Sequence, residues 1–259
     1  MTKAKLALNE ISINADDFGY SPDINQAIVR CFQLDLIHKT SLMVNMAGFN
    51  DAISIIQSNQ HISNSTGLHI NITEGYPLSE SIKSCKQFCD DSGKFIYNRQ
   101  KPIFFLKKHV KEALYQEMIA QMEVFKSLGL KPSHLDSHHH VHTEWAVLRL
   151  VVRLGKAYGV RNIRLARNSG RQRDYFKKAY RVLINTYLKY YSNRAGSDSF
   201  GSLGDARDLI RRTGNKRKLI EIMVHPSIDG SNDIVDSDQT KLQKHLSCLL
   251  PDTLMKTEV

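Results

Sequence analysis

The sequence predicts an α/β fold in which the strands of a parallel sheet alternate with helices. Roughly six short strand-like segments are separated by segments whose apolar residues recur at helical spacing. The chain has 259 residues and is 41% hydrophobic, which allows a sizeable core and suits an α/β barrel. Asp and His side chains follow several predicted strands, and the carboxyl ends of parallel strands carry the sites of such folds.

The first strand is predicted at Ile11–Ala15, and Asp16 and Asp17 follow it directly. Two adjacent carboxylates repel each other unless a cation or hydrogen bonds intervene, and this repulsion separates their pKa values. An Asp-rich turn closed by Gly19 is the structural alternative. Ser21–Pro22 predicts the start of the first helix, with Ser as the N-cap and Pro at the first helical position.

The next strand, helix and strand are predicted at Thr40–Met46, 50–57 and Gly67–Thr73. His69 lies in the third strand, where a lone histidine is more often a hydrogen-bonded core residue than a metal ligand. Residues 74–102 contain Gly, Pro and several Ser with little periodicity. We therefore predict a long segment over one mouth of the fold, a position in which long loops are often functional.

The clearest helical pattern covers 107–128 and ends at Gly129. A fourth strand, Ser133–Ser137, runs into the stretch Leu135–His142, which holds one carboxylate and four imidazoles in eight residues. Histidine is the commonest metal ligand and the usual proton carrier near neutral pH. A solvated, histidine-rich loop is the structural alternative.

If the fourth strand continued through this stretch, Asp136, His138 and His140 would point to the same face. A helix over 144–158, closed by Gly159, is predicted next. The later elements are predicted as strand Arg161–Ala166, amphipathic helix 167–193, Gly/Ser-rich loop 196–204, helix 205–212, strand Leu219–Val224 and a last helix at 239–250. His225 follows the sixth strand directly.

The formal net charge of +10 is concentrated in one part of the chain. Between Arg149 and Lys218 there are 19 Lys and Arg against four Asp and no Glu. Such a segment suits an anionic partner, and a solvated basic face is an equally good interpretation. No apolar run is long enough to span a bilayer, and Met1–Glu10 lacks the features of a signal peptide, so we expect a cytoplasmic protein.

Five of these side chains lie at or just beyond the carboxyl ends of four different strands: Asp16, Asp17, His69, His138 and His225. One carboxylate and two imidazoles can hold a divalent ion with positions left open for water and substrate. Such an ion lowers the pKa of bound water and polarises a carbonyl. The remaining carboxylate and histidine suit a general base and a general acid. The set therefore predicts a mononuclear metal hydrolase.

Four motifs resemble, in the same order, those of the YdjC-like carbohydrate deacetylases, which include chitooligosaccharide and hopanoid-biosynthesis-associated deacetylases. They are Ala15–Gly19, Gly67–His69 with Glu74–Pro77, His134–His142 and Met223–Pro226. The resemblance covers roughly residues 11–228 and implies a single domain over residues 1–259. It also implies a distorted or incomplete (β/α) barrel like that of the polysaccharide deacetylases.

The resemblance implies metal-dependent hydrolysis of the acetamide of an N-acetylated oligosaccharide or glycolipid. Carried onto matching positions, it assigns Asp17, His69 and His138 as metal ligands, Asp16 as general base, His225 as general acid, and His140 and His142 as residues that line the sugar site or orient ligands. Two imidazoles favour zinc, although magnesium is also associated with the family.

Two departures from the family pattern are visible. Val224 stands where Cys is expected, a change attributable to packing, and no closing helix and apolar strand are recognised after Asp229. A metal-dependent phosphoesterase is the nearest alternative enzyme. A nucleic-acid-binding protein that uses the basic segment is a less favoured alternative from another class, and an inactive barrel is a third. A homo-oligomer is compatible with the sequence.

Overall fold

The computed structural model describes residues 11–99, 103–171, 174–192, 196–213 and 219–247. The expectations for Met1–Glu10 and for the end of the last predicted helix lie outside these residues. Within them, six parallel strands form one sheet in the order β4-β3-β2-β1-β6-β5. The strands are β1 Ile11–Phe18, β2 Lys39–Leu42, β3 Thr66–Ile70, β4 Leu135–Ser137, β5 Ser199–Gly201 and β6 Ile220–Val224.

Helices connect these strands along the chain. They are α1 Pro22–Gln33, α2 Phe49–Ser58, α3 Gln60–Ser65, α4 Glu80–Lys83, α5 Lys108–Ser127, α6 Trp145–Tyr158, α7 Tyr175–Tyr191, α8 Leu203–Thr213 and α9 Leu242–Ser247. A short antiparallel hairpin, β7 Ser227–Ile228 and β8 Ile234–Val235, follows β6. Helices α5 and α6 confirm the predictions for 107–128 and 144–158, because each has an apolar face that packs in the core. The helix predicted at 167–193 begins only at Tyr175.

The sheet curls, and the irregular segment 162–169 forms hydrogen bonds with both of its edge strands, β4 and β5. At the β4 edge, the Leu135 N–H donates to the Asn162 carbonyl (2.8 Å) and the Arg164 N–H donates to the Leu135 carbonyl (2.9 Å). At the β5 edge, the N–H groups of Asn168 and Ser169 both donate to the Phe200 carbonyl (3.0 and 3.1 Å). The predicted α/β fold with a distorted, incomplete barrel is therefore confirmed.

The predicted strand Arg161–Ala166 is wrong. Only Ile163 forms a single bridge, to Leu135. The backbone of Ala166 bonds to a side chain instead: its N–H donates to Asn185 Oδ1 (2.7 Å) and its carbonyl accepts from Asn185 Nδ2 (2.9 Å). The amide of Asn185 in α7 thus takes the place of a neighbouring strand.

Two strand predictions need smaller corrections. The predicted loop 196–204 contains strand β5, which pairs with β6. Strand β2 ends at Leu42 instead of Met46, after which the Met43 N–H donates to the Phe18 carbonyl (2.7 Å) and the chain turns towards α2. Both elements are three or four residues long, and their extents depend on neighbours that a local pattern does not contain.

The two faces of the sheet differ in chemistry. In β1, Ile11, Ile13 and Ala15 are buried in the apolar core, whereas Asn14 and Asp16 alternate with them and are buried among polar side chains. Alternation along a strand separates these two sets. The interior of the curled sheet is consequently polar, and the candidate site lies there.

The predicted long segment after β3 is folded rather than open. Phe88, Cys89, Phe95 and Tyr97 are buried, and the N–H groups at positions 78 and 79 donate to the Glu117 carboxylate of α5 (3.1 and 2.7 Å). None of the helices in the described residues is both long enough and apolar enough to cross a membrane.

Candidate active site and metal centre

The end of β1 brings two consecutive carboxylates to the same mouth. Adjacent residues of a regular strand point to opposite faces. Here Asp17 takes a left-handed conformation (φ 69°), and the register between β1 and β2 shifts between Ala15 and Phe18. This irregularity allows Asp16 and Asp17 to face the same group of histidines.

Asp17, His69 and His138 come together from three different elements. Asp17 Oδ1 lies 2.8 Å from His138 Nδ1 and 3.2 Å from His69 Nε2. One donor atom from each residue lies within 4.8 Å of the others, a grouping that could hold a metal ion. Burial alone raises the pKa of Asp17, but the hydrogen bond with His138 and the adjacent imidazole of His69 hold that pKa well below its ordinary value.

His69 is oriented from behind by Asp136 of the neighbouring strand. The distance from His69 Nδ1 to Asp136 Oδ1 is 2.7 Å, so Nε2 is the nitrogen that faces Asp17. Carboxylates commonly orient metal-binding histidines in this way. Burial lowers the pKa of His69, but the charge and hydrogen bond of Asp136, together with Asp17, outweigh burial and raise it to about 10.

The donor set fits a divalent ion. The Nε2 atoms of His69 and His138 are buried and make no well-aligned hydrogen bond within the described residues, while the carboxylate oxygens of Asp17 and Glu74 lie 3.2 and 3.4 Å from them. Buried polar groups normally make hydrogen bonds, so two imidazole nitrogens that face carboxylates without a well-aligned hydrogen bond indicate a site for a ligand. Nitrogen and carboxylate donors suit zinc and other first-row ions better than they suit magnesium.

A second grouping lies beside the first and shares His138 with it. Glu74 Oε1 is 3.4 Å from His138 Nε2 and 3.7 Å from His139 Nε2, and these three residues could also hold an ion. Glu74 Oε2 accepts from the Tyr20 hydroxyl (3.0 Å), a hydrogen bond that raises the pKa of Tyr20. The long segment after β3 therefore supplies a carboxylate to the mouth of the site.

Arg164 links two buried carboxylates, Asp16 and Asp136, with the partly buried Glu221 inside the curled sheet. Its guanidinium grips both oxygens of Asp16 (2.6 and 2.8 Å) and also lies 2.6 Å from Asp136 Oδ2 and 2.7 Å from Glu221 Oε1. Asn14 Nδ2 donates to the same Asp16 carboxylate (2.8 Å). Asp16 is thereby fixed in position and its charge is compensated.

His225 follows β6 and reaches the same mouth. Its backbone N–H donates to Asp236 Oδ1 (2.8 Å), and its Nε2 lies 3.9 Å from Asp16 Oδ2. The side chain is 34% exposed, so it is accessible from solvent while it stays close to Asp16. The hairpin after β6 holds this histidine in place through Asp236.

The histidine cluster does not continue β4 as a strand. Residues 138–143 form a 3₁₀ turn in which His139 and His140 both take left-handed conformations (φ 53° and 54°). The expectation that Asp136, His138 and His140 alternate along one extended strand is therefore wrong. His138 reaches Asp17 because the chain turns sharply after Ser137.

His140 and His142 occupy different positions in this turn. His140 is partly accessible, its Nδ1 is buried without a described partner, and burial followed by Arg164 lowers its pKa well below the ordinary value. His142 has no exposed surface, and its ring bonds to Ser137 Oγ (2.7 Å) and the Arg164 carbonyl (3.1 Å). Of the two roles considered for His142, this placement favours orientation of the site over substrate contact.

The predicted residues Asp16, Asp17, His69, His138 and His225 meet in one site. Sequence reasoning missed Arg164, Asp136 and Glu74 as members of it. Asp136 had a signal, because it lies two residues before His138 in the histidine motif. Arg164 had none, since it was one cation among the 19 between Arg149 and Lys218.

Comparison with known proteins identifies the family of the chain. A sequence profile described as YdjC-like protein matches residues 10–257. A carbohydrate deacetylase of Vibrio cholerae is 30% identical over 220 residues, which are 84% of this chain and 78% of that protein. A carbohydrate deacetylase of Brevibacillus brevis is 36% identical over 151 residues, and this match spans 58% of the chain and just over half (57%) of that relative.

Among solved structures, a crystal structure of a candidate cellobiose-phosphate cleavage protein from Enterococcus faecalis V583 has a TM-score of 0.67. The match covers 94% of this chain and 91% of the Enterococcus chain at 21% sequence identity, so it shows the fold alone. The profile match covers nearly the whole sequence, and the Vibrio relative is aligned over most of it. The chain therefore belongs to the YdjC-like protein family.

Proposed function

We propose that the protein hydrolyses the acetamide of an N-acetylated saccharide or glycolipid with the aid of one divalent ion. The grouping of Asp17, His69 and His138 carries this proposal, because two of its imidazole nitrogens are buried and face carboxylate oxygens without a well-aligned hydrogen bond. The relatives named carbohydrate deacetylase support the choice of substrate and reaction.

In this proposal Asp17, His69 and His138 hold the ion, with Asp136 fixing the orientation of His69. When bound, a divalent ion polarises a carbonyl and lowers the pKa of water. Zinc suits the two imidazoles better than magnesium does, and the test below compares both.

Asp16 is the proposed general base. It takes the proton from the water that attacks the acetyl carbon, while Arg164 and Asn14 keep its carboxylate in place. His225 is the proposed general acid and gives a proton to the departing amine nitrogen, so that water and the amide become acetate and a free amine. His140, at the accessible side of the histidine turn, is proposed to line the sugar site.

The test is acetate release from N-acetylglucosamine oligomers and N-acetylated glycolipids, with zinc, magnesium or a chelator. We expect release to require the ion and to fall by roughly 10²–10⁴ in Asp16→Asn, the usual range for loss of a general base. Asp17→Asn and His138→Gln should each lose both the binding of the ion and the release of acetate.

Asp23→Asn and His109→Gln are matched controls, since both side chains are exposed on helices. They should behave like the wild type. Release of phosphate from phosphoesters, without acetate from any amide, would replace the proposed reaction by the phosphoesterase alternative.

A further inference from the structure

Helix α7 exposes an apolar face in addition to the face that packs on the core. Ile184 and Leu188 are buried on its inner side. On the opposite side Phe176 is 89% exposed and Tyr190 is 87% exposed, and Leu183 between them is also exposed. Monomeric proteins rarely present a continuous apolar surface of this kind unless it is used for binding.

The spacing of these residues places them in a stripe along the helix. Phe176, Leu183 and Tyr190 are seven residues apart, so they lie within about 40° of one another around the helix axis. Tyr175 and Val182 are also exposed and also seven residues apart, and each directly precedes a residue of the stripe. The outer face is therefore an apolar sector that runs over the full length of α7.

The apolar stripe continues beyond α7. Phe104 is exposed and its ring meets Tyr180 of α7 edge-on, with ring centroids 6.1 Å apart. Phe105 beside it is 89% exposed. Two chain segments that are distant in sequence thus contribute to one apolar surface, here called the α7 face.

A basic cleft of about 730 Å³ borders the α7 face. Val182 belongs to both, and the cleft is lined by six cations: Arg167, Arg171, Lys178, Arg181, Lys189 and Arg212. Two of them bond to backbone carbonyls: Lys189 Nζ donates to the Asp198 carbonyl (3.0 Å) and Arg212 Nη2 donates to the Ser169 carbonyl (2.6 Å). A carbonyl carries no net charge, so these bonds do not neutralise the two side chains.

The cleft is crowded with positive charge. Arg167 forms an ion pair with Asp205. Burial lowers the pKa of Arg181, and the neighbouring Arg167 and Arg99 lower it further, against the opposing influence of Asp205. An anion in the cleft would relieve this repulsion.

We propose that the α7 face binds the surface of an anionic phospholipid membrane, with lipid phosphates in the basic cleft and the aromatic and aliphatic stripe in the interfacial layer. Helices that lie in a membrane interface combine an apolar face bearing aromatic and Leu residues with flanking Lys and Arg. Aromatic side chains favour the headgroup level of a bilayer. A helix of 17 residues is about 25 Å long, enough to lie along the surface without crossing it.

Other occupants fit this surface less well. Two copies of the chain joined through the α7 face would bring two basic clefts together, and like charges oppose such a contact. An anionic glycan or nucleic acid would neutralise the cleft but would leave Val182 and Leu183 exposed to water. An anionic membrane satisfies both the charge and the apolar stripe.

The test is co-sedimentation of the full chain with vesicles of phosphatidylcholine, alone or with one-third phosphatidylglycerol. We expect binding to the anionic vesicles and much weaker binding to the neutral ones. The triple variant Phe176→Ser, Leu183→Ser, Tyr190→Ser should lose binding while circular dichroism shows the wild-type fold, because all three side chains are exposed.

A second variant addresses the cleft. Arg171→Gln with Lys178→Gln should weaken binding by about 25-fold, roughly fivefold for each positive charge removed near an anionic surface. The matched control is Lys126→Gln with Lys131→Gln, which removes the same charge from the C-terminal end of α5 and the turn after it and should leave binding unchanged.

Several results would overturn the proposal. Failure to bind anionic vesicles would do so, as would equal binding by the triple variant. Full competition by soluble glycerophosphate would show that the cleft binds a free phosphate compound instead of a lipid.

Two further results would assign the surface to another partner. If the triple variant bound heparin and no form of the protein bound vesicles, the partner would be an anionic polymer. A dimer in light scattering that the triple variant disrupts, again without vesicle binding, would make the α7 face an interface between copies. None of these readouts requires deacetylase activity.

Discussion

Burial holds His142 as a neutral imidazole, lowering its pKa to about 3 even though Asp136 opposes the shift. An unfolded histidine has a pKa near 6.5. Between these values the unfolded state binds the extra proton, so the free energy of unfolding falls as the pH drops from about 6.5 towards about 3. We expect His142 to contribute about 1.4 kcal/mol per pH unit in this window, or about 2 kcal/mol between pH 6.5 and pH 5.

Urea denaturation of the wild type and of His142→Gln, each at pH 6.5 and at pH 5, checks this expectation. The variant should be less stable at neutral pH, because the bonds to Ser137 and the Arg164 carbonyl are altered. The free energy of unfolding of the variant should then fall less steeply with acid, because close to one proton fewer is taken up on unfolding. His109→Gln, an exposed change on α5, should keep the wild-type slope. Identical slopes for the wild type and His142→Gln would show that this imidazole does not titrate on unfolding.

Single residues of the site were predictable where a short motif carried them. Asp16, Asp17, His69 and His138 follow or lie in strands whose ends meet at one edge, so sequence order and strand polarity were sufficient to group them. Arg164 was not predictable in this way. Its role depends on carboxylates from three different strands, and its own neighbours in sequence belong to a generally basic segment.

Asn185 connects two elements through a pair of hydrogen bonds to the backbone of Ala166. The variant Asn185→Ala leaves a buried N–H and carbonyl without these bonds, which typically costs about 1–3 kcal/mol. Because Ala166 lies two residues from Arg164, we also expect the proposed deacetylase activity to fall. Chemical denaturation and acetate release measure the two effects.

Thr186→Ala is the control for this change, since Thr186 is exposed at the next position of α7. It should cost less than about 0.5 kcal/mol, as surface changes usually do. If Asn185→Ala proved as mild as the control, the segment that carries Arg164 would be held by its contacts with β4 and β5 alone.

Helix α5 was predicted closely, whereas α7 begins at Tyr175 instead of at 167 and the three-residue strand β5 was not predicted. The expected helix 107–128 is observed as Lys108–Ser127, because its amphipathic pattern extends over several turns. Strand β5 has three residues in a Gly/Ser-rich stretch and exists through pairing with β6. The left-handed conformations of His139 and His140 could not be predicted from the sequence either, since residues other than Gly seldom adopt them.

At the scale of the whole molecule, the polar interior of the curled sheet carries an excess of negative charge. One guanidinium, that of Arg164, faces the carboxylates of Asp16, Asp136 and Glu221. The carboxylate of Asp17 lies nearby at the mouth. Buried charges of one sign are costly when uncompensated, so this arrangement favours the entry of a cation. His69, whose pKa is raised, compensates part of the charge in the metal-free chain.

A divalent ion bound by Asp17, His69 and His138 should therefore stabilise the whole fold. Free ion at 100 times its dissociation constant adds about 2.7 kcal/mol to the free energy of unfolding. For a chain of this size that corresponds to a rise in Tm of roughly 5–10 °C. Thermal unfolding with zinc, magnesium or a chelator measures the effect, and the donor set favours a larger shift with zinc. Asp17→Asn should retain the fold and lose the shift, whereas Asp23→Asn should keep it. An equal shift in Asp17→Asn would place the stabilising ion elsewhere, for instance at Glu74 and His139, the neighbouring group that shares His138.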